Sequence, residues 1–437
     1  MYIADSKIGW YDKHMSIRVK REQKSHEEEE KMFKIGVLGA RRGSAFMRTL
    51  HYMKNAELTA VCEKDESALE EVKQWITDRV QVFTDYDEML GSGIDGVILC
   101  NYFHEHADFA IKAFEAGVAV LSETTAAPTL GDCVRLVEAC EKYNGTYMLA
   151  ANCLYFNALA AMKKRIEEGE TGKVMFGEAE YLHGPEGGRT PDAIKKVIDY
   201  DNLHWRKIMP PNMYNMHSLG PLMYVTGSDP VTVSCHMIRN AEWTEELGEA
   251  RDCMGAVVVT EMNNGATFQT TGCNGYGPTS KWYRLACENG TMETKRYDAK
   301  EERLLIITSH QHTEDVWLSE RQSGLIGAED DINMDDVRGS GHGGIDYFVT
   351  YHFLKVLEKK EQPFFDVYRS AALSAVGILG WYSALMNSRR LQVPDFTKKE
   401  DRDRIRNDFR TPFAERGSKW WIPCRLDEKD KFTLELK

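Results

Sequence analysis

The sequence predicts an α/β protein in two parts: a parallel sheet covered by helices, then an α+β region on an open, mostly antiparallel sheet. Three observations carry this expectation. From Phe33 to about Gly145, short apolar runs alternate with helix-like stretches, the pattern of a parallel sheet buried on both faces. Beyond about Ala158 the pattern becomes alternating strands joined by Asn-Gly turns. The 437 residues also exceed what one hydrophobic core usually supports.

Residues 1–31 read as a charged N-terminal arm, rich in Lys and Glu, with Trp10 and Tyr11 as candidate anchors on a neighbouring subunit. Residues 32–153 form the first predicted domain. It opens with strand Phe33–Leu38 and the turn Gly39-Ala40-Arg41-Arg42-Gly43, and a helical stretch leads to strand Leu58–Cys62. Strand Gly96–Cys100 precedes a helix from about His106 to Ala116, stopped by Gly117; Val118–Leu121 is the next strand. Thr129-Leu130-Gly131-Asp132 has capping-box spacing and starts a helix ending near Gly145. Residues 154–437 form the second predicted domain. Its strands include Val174–His183, and Ala256–Glu261 with Ala266–Thr271 around Asn263-Asn264-Gly265. Arg284–Cys287 and Thr291–Lys295 flank Asn289-Gly290. Two strong helices follow, at about Ile345–Lys359 and Tyr368–Asn387, and the charged last stretch is expected to wrap the surface.

Composition excludes several function classes. Lys and Arg number 55 against 68 Asp and Glu, a net charge of −13, which is wrong for a nucleic-acid binder that must meet phosphates. The longest apolar candidate, Ala371 to Leu385, is too short to span a bilayer and reads as a buried helix. The polar N-terminus lacks the apolar core of an export signal, which places the protein in the cytoplasm. Ten scattered cysteines without a C-x-x-C pair read as reduced, mostly buried thiols.

The strand, glycine turn and helix at Phe33–Ser44 make a Rossmann-type anion site, where helix N–H groups accept a pyrophosphate and glycine permits close approach. The run Gly39-Ala40-Arg41-Arg42-Gly43-Ser44 is a reduced form of the dinucleotide fingerprint. Glu63 ends the second strand about twenty residues on, where an acid grips both ribose hydroxyls and favours NAD over NADP.

These residues resemble the Gfo/Idh/MocA oxidoreductase family over about Phe33 to Leu391. Matching pieces include Ala60-Val61-Cys62-Glu63, Asn101-Tyr102-Phe103-His104-Glu105-His106, Ser122-Glu123-Thr124-Thr125-Ala126-Ala127 and Glu288-Asn289-Gly290-Thr291-Met292. Most members read Glu-Lys-Pro after the fourth strand, with the lysine assisting hydride and proton transfer. Here Glu123-Thr124-Thr125 lacks it. The family 109 glycoside hydrolases also lack that lysine, and four further motifs are similar to theirs. These are Asn152-Cys153-Leu154-Tyr155, Glu180-Tyr181-Leu182-His183, the run Asn212 to Pro221, and Gly341-His342-Gly343-Gly344-Ile345-Asp346. The chain departs from that subgroup in having no export signal and in a longer stretch from Gly184 to Asp201.

The resemblance implies NAD held by Gly39, Arg41, Arg42, Gly43, Ser44, Glu63, Asn101, His106, Glu123 and Asn152. It implies a cycle in which NAD oxidises the sugar at C3, a base takes the C2 proton, an acid protonates the leaving oxygen, water adds, and the hydride returns. Tyr155, Tyr214 and His217 are the candidate acid–base groups, and Arg206 positions or stabilises charge. A tyrosine serves as base only beside a cation or the nicotinamide, whereas histidine titrates near neutrality. His183, Tyr283 and His342 are substrate candidates. A metal held by His183, His217 and His342 is the competing reading; no preformed ligand pair marks it, so no metal is expected. Two other functions remain open: a net sugar oxidoreductase making 3-keto glycosides, and a non-catalytic NAD- or sugar-binding protein. The expected partners are a small-molecule glycoside and further copies of the chain, with neither nucleic acid nor membrane.

Overall fold

A computed structural model of the chain describes residues 31–183, 205–239, 252–274, 277–296, 303–309, 312–327 and 331–433. Residues 1–30 of the predicted arm fall outside them. Two sheets are seen among the described residues. The first is parallel, in the order β3-β2-β1-β4-β5-β6. Its strands are β1 (Phe33–Leu38), β2 (Ala56–Cys62), β3 (Gln81–Phe83), β4 (Gly96–Leu99), β5 (Ala119–Ser122) and β6 (Tyr147–Leu149). Ile35, Val37, Val97, Ile98, Val120 and Leu121 are wholly buried, as strands covered on both faces require.

Helix α1 (Ala40–Leu50) follows β1, and α2 (His106–Glu115) packs beside α3 (Leu130–Tyr143). The expected cap is present: Thr129 Oγ1 accepts from the Asp132 N–H at 2.9 Å. The C-cap of α3 is Asn144, at φ 49°, and not Gly145. Gly145 is small for another reason, because a Cβ there would lie 2.6 Å from the Phe114 ring. Strands β3 and β6 were not foreseen. Both are three residues long, too short for periodicity to announce them.

The second sheet runs β14-β13-β12-β11-β7-β10-β9-β8-β15. Its strands are β7 (Val174–His183), β8 (Pro230–Arg239), β9 (Cys253–Met262), β10 (Thr267–Asn274), β11 (Ser280–Cys287), β12 (Gly290–Thr294), β13 (Arg303–Ser309), β14 (His312–Trp317) and β15 (Leu391–Gln392). All pairings are antiparallel except β7 with β10. The Asn263-Asn264-Gly265 turn joins β9 to β10 with Gly265 at φ 86°.

Two helices tie the sheets together. Phe353 of α4 (Ile345–Leu357) packs on Gly96 of the parallel sheet, where a Cβ would meet the ring at 3.2 Å. Helix α5 (Val367–Leu385) touches α3, β6 and β8, and every residue from Ser370 to Leu385 is buried. Its small side chains let other segments come close. Ser374 Oγ meets Thr125 Oγ1 at 2.6 Å, and the Gly377 carbonyl accepts from Asn212 Nδ2 at 2.6 Å. The apolar run from Ala371 is therefore a central core helix. No helix among the described residues is long and apolar enough to cross a membrane.

The charged C-terminal stretch wraps the first sheet and its helices. Arg402 pairs with Glu141 at 2.8 Å, Arg406 with Glu138 at 2.8 Å, and Trp381 Nε1 donates to the Pro423 carbonyl at 2.9 Å. The nine described cysteines carry no disulfide, and all but Cys287 are buried.

Candidate active site

The glycine turn is a steric necessity. Gly39 stands at φ 91°, and a Cβ on it would lie 2.7 Å from the Cys100 carbonyl oxygen. A Cβ on Gly43 would lie 2.5 Å from Val37 Cγ1. Neither position accepts a side chain, so backbone can approach a ligand at the start of α1. Glu63 braces the turn: one oxygen accepts from the Ala40 N–H at 2.8 Å, the other from those of Lys64 at 2.8 Å and Asp65 at 3.0 Å. Ser44 Oγ donates back to the Arg41 carbonyl at 2.8 Å.

The two adjacent arginines part company. Arg41 turns to the β2 side, reaching Asp65 at 2.7 Å and Ser67 Oγ at 2.8 Å. Arg42 turns inward, pairing with Glu123 after β5 and lying 3.8 Å from Asp346 at the start of α4. Burial works against the Arg42 charge, yet Glu123, Cys100 and Asp346 outweigh it and raise the guanidinium above its ordinary range. Tyr214, as phenolate, acts in the same direction, which puts it within electrostatic reach of Arg42.

His106 is a fastener. Its Nδ1 meets the Thr125 carbonyl at 2.8 Å and its Nε2 the Asn101 carbonyl at 3.3 Å, and the side chain is buried. Burial pushes its pKa down, so the ring is neutral and its one N–H serves one carbonyl at a time. It joins the loop after β4 to the Thr124–Thr125 peptide, which is cis. The Oδ1 atoms of Asn101 and Asn152 are buried with no hydrogen-bond partner among the described residues. Together the bare glycine turn, the helix start, the strand-end acid and these spare acceptors fit a dinucleotide.

A second cluster centres on His217. Its ring stacks on Tyr181 at 4.3 Å between centroids and lies 4.9 Å from Tyr214. Cys153 Sγ meets its Nδ1 at 3.2 Å, and the Tyr283 hydroxyl donates to its carbonyl at 2.7 Å. Burial, then the charges of Lys281, His342, His183 and Arg42, push its pKa well below the ordinary value. The ring is therefore neutral at pH 7, and the expected titration near neutrality is displaced. Tyr283 is fully buried and holds His217 through its backbone; its place is behind the histidine. His183 lies at the end of β7, 5.5 Å from the Tyr181 ring.

His342 sits in a turn that only glycine neighbours allow. It has φ 50°, Gly343 φ 69° and Gly344 φ 114°. A Cβ on Gly341 would lie 2.2 Å from Asp346 Oδ2, the oxygen that receives His342 Nδ1 at 2.8 Å. The motif is thus a carboxylate holder, and Asp346 is wholly buried within it.

Tyr155 is not brought to this cluster. Its ring stacks on His352 at 4.8 Å and faces Phe348, both on α4, and burial pushes the phenol well above its ordinary range. The side chain of Arg206 and residues 184–204 lie outside the described residues. Among the described residues, no three His, Cys, Asp or Glu side chains are arranged to hold a metal. Tyr181, Cys153 and Asp346 stood within quoted motifs without a role. Lys281 carried no motif, and only the β11–β7 pairing reveals it.

Residues 33–151 match the Gfo/Idh/MocA oxidoreductase family, NAD-binding Rossmann fold. Residues 329–402 match the C-terminal domain of glycosyl hydrolase 109. Both matches fall on this one chain. A glycosyl hydrolase family 109 protein of Stenotrophomonas maltophilia is 25% identical over 340 residues, covering 70% of this chain and 73% of the relative. One from a Shewanella species is 23% identical over 404 residues, covering 84% and 85%. Among solved structures, a levoglucosan dehydrogenase in complex with NADH and L-sorbose superposes with TM-score 0.66 at 17% identity, over 84% of this chain and all of that one. An oxidoreductase from Agrobacterium radiobacter, in complex with NAD+, L-tartaric acid and magnesium, gives TM-score 0.62 at 16% identity, over 82% and 98%. The matched pieces meet in space. Arg42, in the first matched segment, is held between Glu123 of that segment and Asp346 of the second.

Proposed function

We propose that this oxidoreductase-family enzyme is an NAD-dependent glycoside hydrolase whose cofactor is recycled within each turnover. The carrying observation is the Tyr214–His217–Tyr181 cluster, within reach of the Arg42 charge, in a chain whose usual lysine position is Thr124. Bound NAD supplies the hydride acceptor and donor at the sugar C3. The chain supplies the rest. Gly39, Gly43 and the start of α1 receive the pyrophosphate, and Glu63 keeps that turn in shape. Arg42 provides the cation that a tyrosine needs to act as base, and Tyr214 takes the C2 proton. His217, neutral and buried, donates a hydrogen bond to a substrate oxygen. Glu123 and Asp346 hold Arg42 in place.

The open face of the second sheet presents Trp282 beneath Arg296 and Trp317 beneath Arg303, and Trp317 is 59% exposed. A second copy of the chain covers it in this reading, and the protein works in the cytoplasm on a small glycoside.

The test is a panel of nitrophenyl glycosides, α and β, in heavy water. A recycled cofactor releases the phenol without accumulating NADH, and the product sugar carries deuterium at C2. NADH accumulating once per turnover with the glycosidic bond intact makes the protein a net sugar oxidoreductase instead.

A further inference from the structure

The Cys153–His217 contact has no part in the cycle described above. Both side chains are buried, Cys153 on the short turn Asn152–Tyr155 and His217 before the helix Leu219–Thr226. Their Sγ···Nδ1 separation of 3.2 Å leaves room for one proton. We propose that Cys153 is a positioning residue that holds His217 as its Nε2–H tautomer, a neutral hydrogen-bond donor at the sugar site. This rests on the glycosidase reading for its purpose, not for its chemistry.

The direction of the hydrogen bond follows from the partners. Thiol sulfur is a weak acceptor, and an unprotonated imidazole nitrogen is a strong one. A thiol is also far more acidic than a neutral imidazole N–H. The proton in the contact therefore belongs to sulfur, and the ring proton to Nε2. Moving the sulfur proton onto Nδ1 while Nε2 keeps its own would make a thiolate–imidazolium pair. Lys281 on β11 and Arg42 on α1 place positive charge toward His217 and disfavour it, and a proton on His183 of β7 or on His342 before α4 would act in the same direction. The remaining neighbours are Tyr181 and Tyr214, whose rings lie against the imidazole, and Tyr283, whose hydroxyl holds its backbone. Burial acts in the same direction.

The ring cannot exchange its nitrogens cheaply. Tyr181 stacks on it with 25° between planes, Tyr214 lies against it, and Tyr283 holds the backbone. Nε2 makes no hydrogen bond among the described residues, so its proton is available to substrate. A neutral imidazole in this role polarises an oxygen without changing protonation near pH 7, as in known isomerase sites. That suits the oxygen at C3, where charge develops as the C2 proton leaves. Tyr214 is then the base and His217 the donor.

The test reads the tautomer directly. Protein carrying nitrogen-15 histidine and its co-purified cofactor is studied by long-range proton–nitrogen correlation, with His217 identified by its absence in His217→Gln. The wild type should show an Nε2–H ring that does not titrate between about pH 6 and 8. Cys153→Ala should give mixed tautomers and lower kcat by roughly 10- to 100-fold, with KM moving less. Cys153→Ser, which keeps a donor, should restore the single tautomer and most of the rate. An Nδ1–H ring in the wild type, or a tautomer unchanged in Cys153→Ala, overturns the assignment. If the wild type cleaves no glycoside, the spectra still decide the role of Cys153, and only the glycosidase reading fails. Thermal melting and bound NAD confirm that the variants fold.

Discussion

At the mouth of the parallel sheet, side chains hold backbone. Glu63 accepts three main-chain N–H groups, and His106 lies between two main-chain carbonyls. Around His217, side chains hold one another: Tyr181 stacks on the imidazole and Cys153 meets its Nδ1. The first arrangement shapes a chain that a ligand must approach closely. The second sets the protonation and orientation of the groups proposed to face a substrate. Changes in the first region should therefore remove cofactor and stability, and changes in the second should remove turnover while cofactor stays.

The strongest break is expected at Gly39→Ala. The left-handed backbone alone costs about 1–3 kcal/mol for a residue with a Cβ, and that Cβ would press on the Cys100 carbonyl at 2.7 Å. Purified variant should carry no NAD and melt well below the wild type, as measured by nucleotide release and calorimetry. Next is His217→Ala, expected to slow aglycone release by roughly 10²–10³-fold with bound NAD unchanged. Loss of NAD from this variant would show that the two regions are not separable.

A weaker, pH-dependent effect sharpens the same contrast. Burial lowers the pKa of both His106 and His217 below 6.5 in the folded chain. The unfolded chain then binds protons that the fold refuses, so stability is full above about pH 6.5 and falls as pH drops. The slope is at most about 1.4 kcal/mol per pH unit for each histidine. Melting curves between pH 7.5 and 5.5, both chosen as about one unit from 6.5, should show the decline, and His217→Gln should flatten it. Equal slopes in both proteins would remove His217 from this account. The smallest effect is expected at Tyr155→Phe. The ring packs on His352 and Phe348 and makes no hydrogen bond among the described residues. Stability should change by less than about 0.5 kcal/mol, and kcat should stay near wild type; a large loss would return Tyr155 to the acid–base groups.

Alternation of apolar runs and glycines determined the parallel sheet, the capped helix at Thr129 and the buried helix from Ala371, because each depends on local sterics and on a face that must leave water. The Asn-Gly hairpins were legible for the same reason, whereas the stretch Asn212–Pro221 was read as a site through its resemblance to the family 109 motif. What only the tertiary structure decided is which distant side chains meet. Arg41 and Arg42 are neighbours in sequence, yet one joins Asp65 and the other Glu123 and Asp346. Tyr155 and Cys153 sit on one short turn, and only the cysteine reaches His217, across 64 positions. Thr125 meets Ser374 across 249. In a tight turn, successive side chains point to different walls. Which wall holds the chemistry depends on the packing of α4 and α5 against both sheets, and no local pattern encodes that.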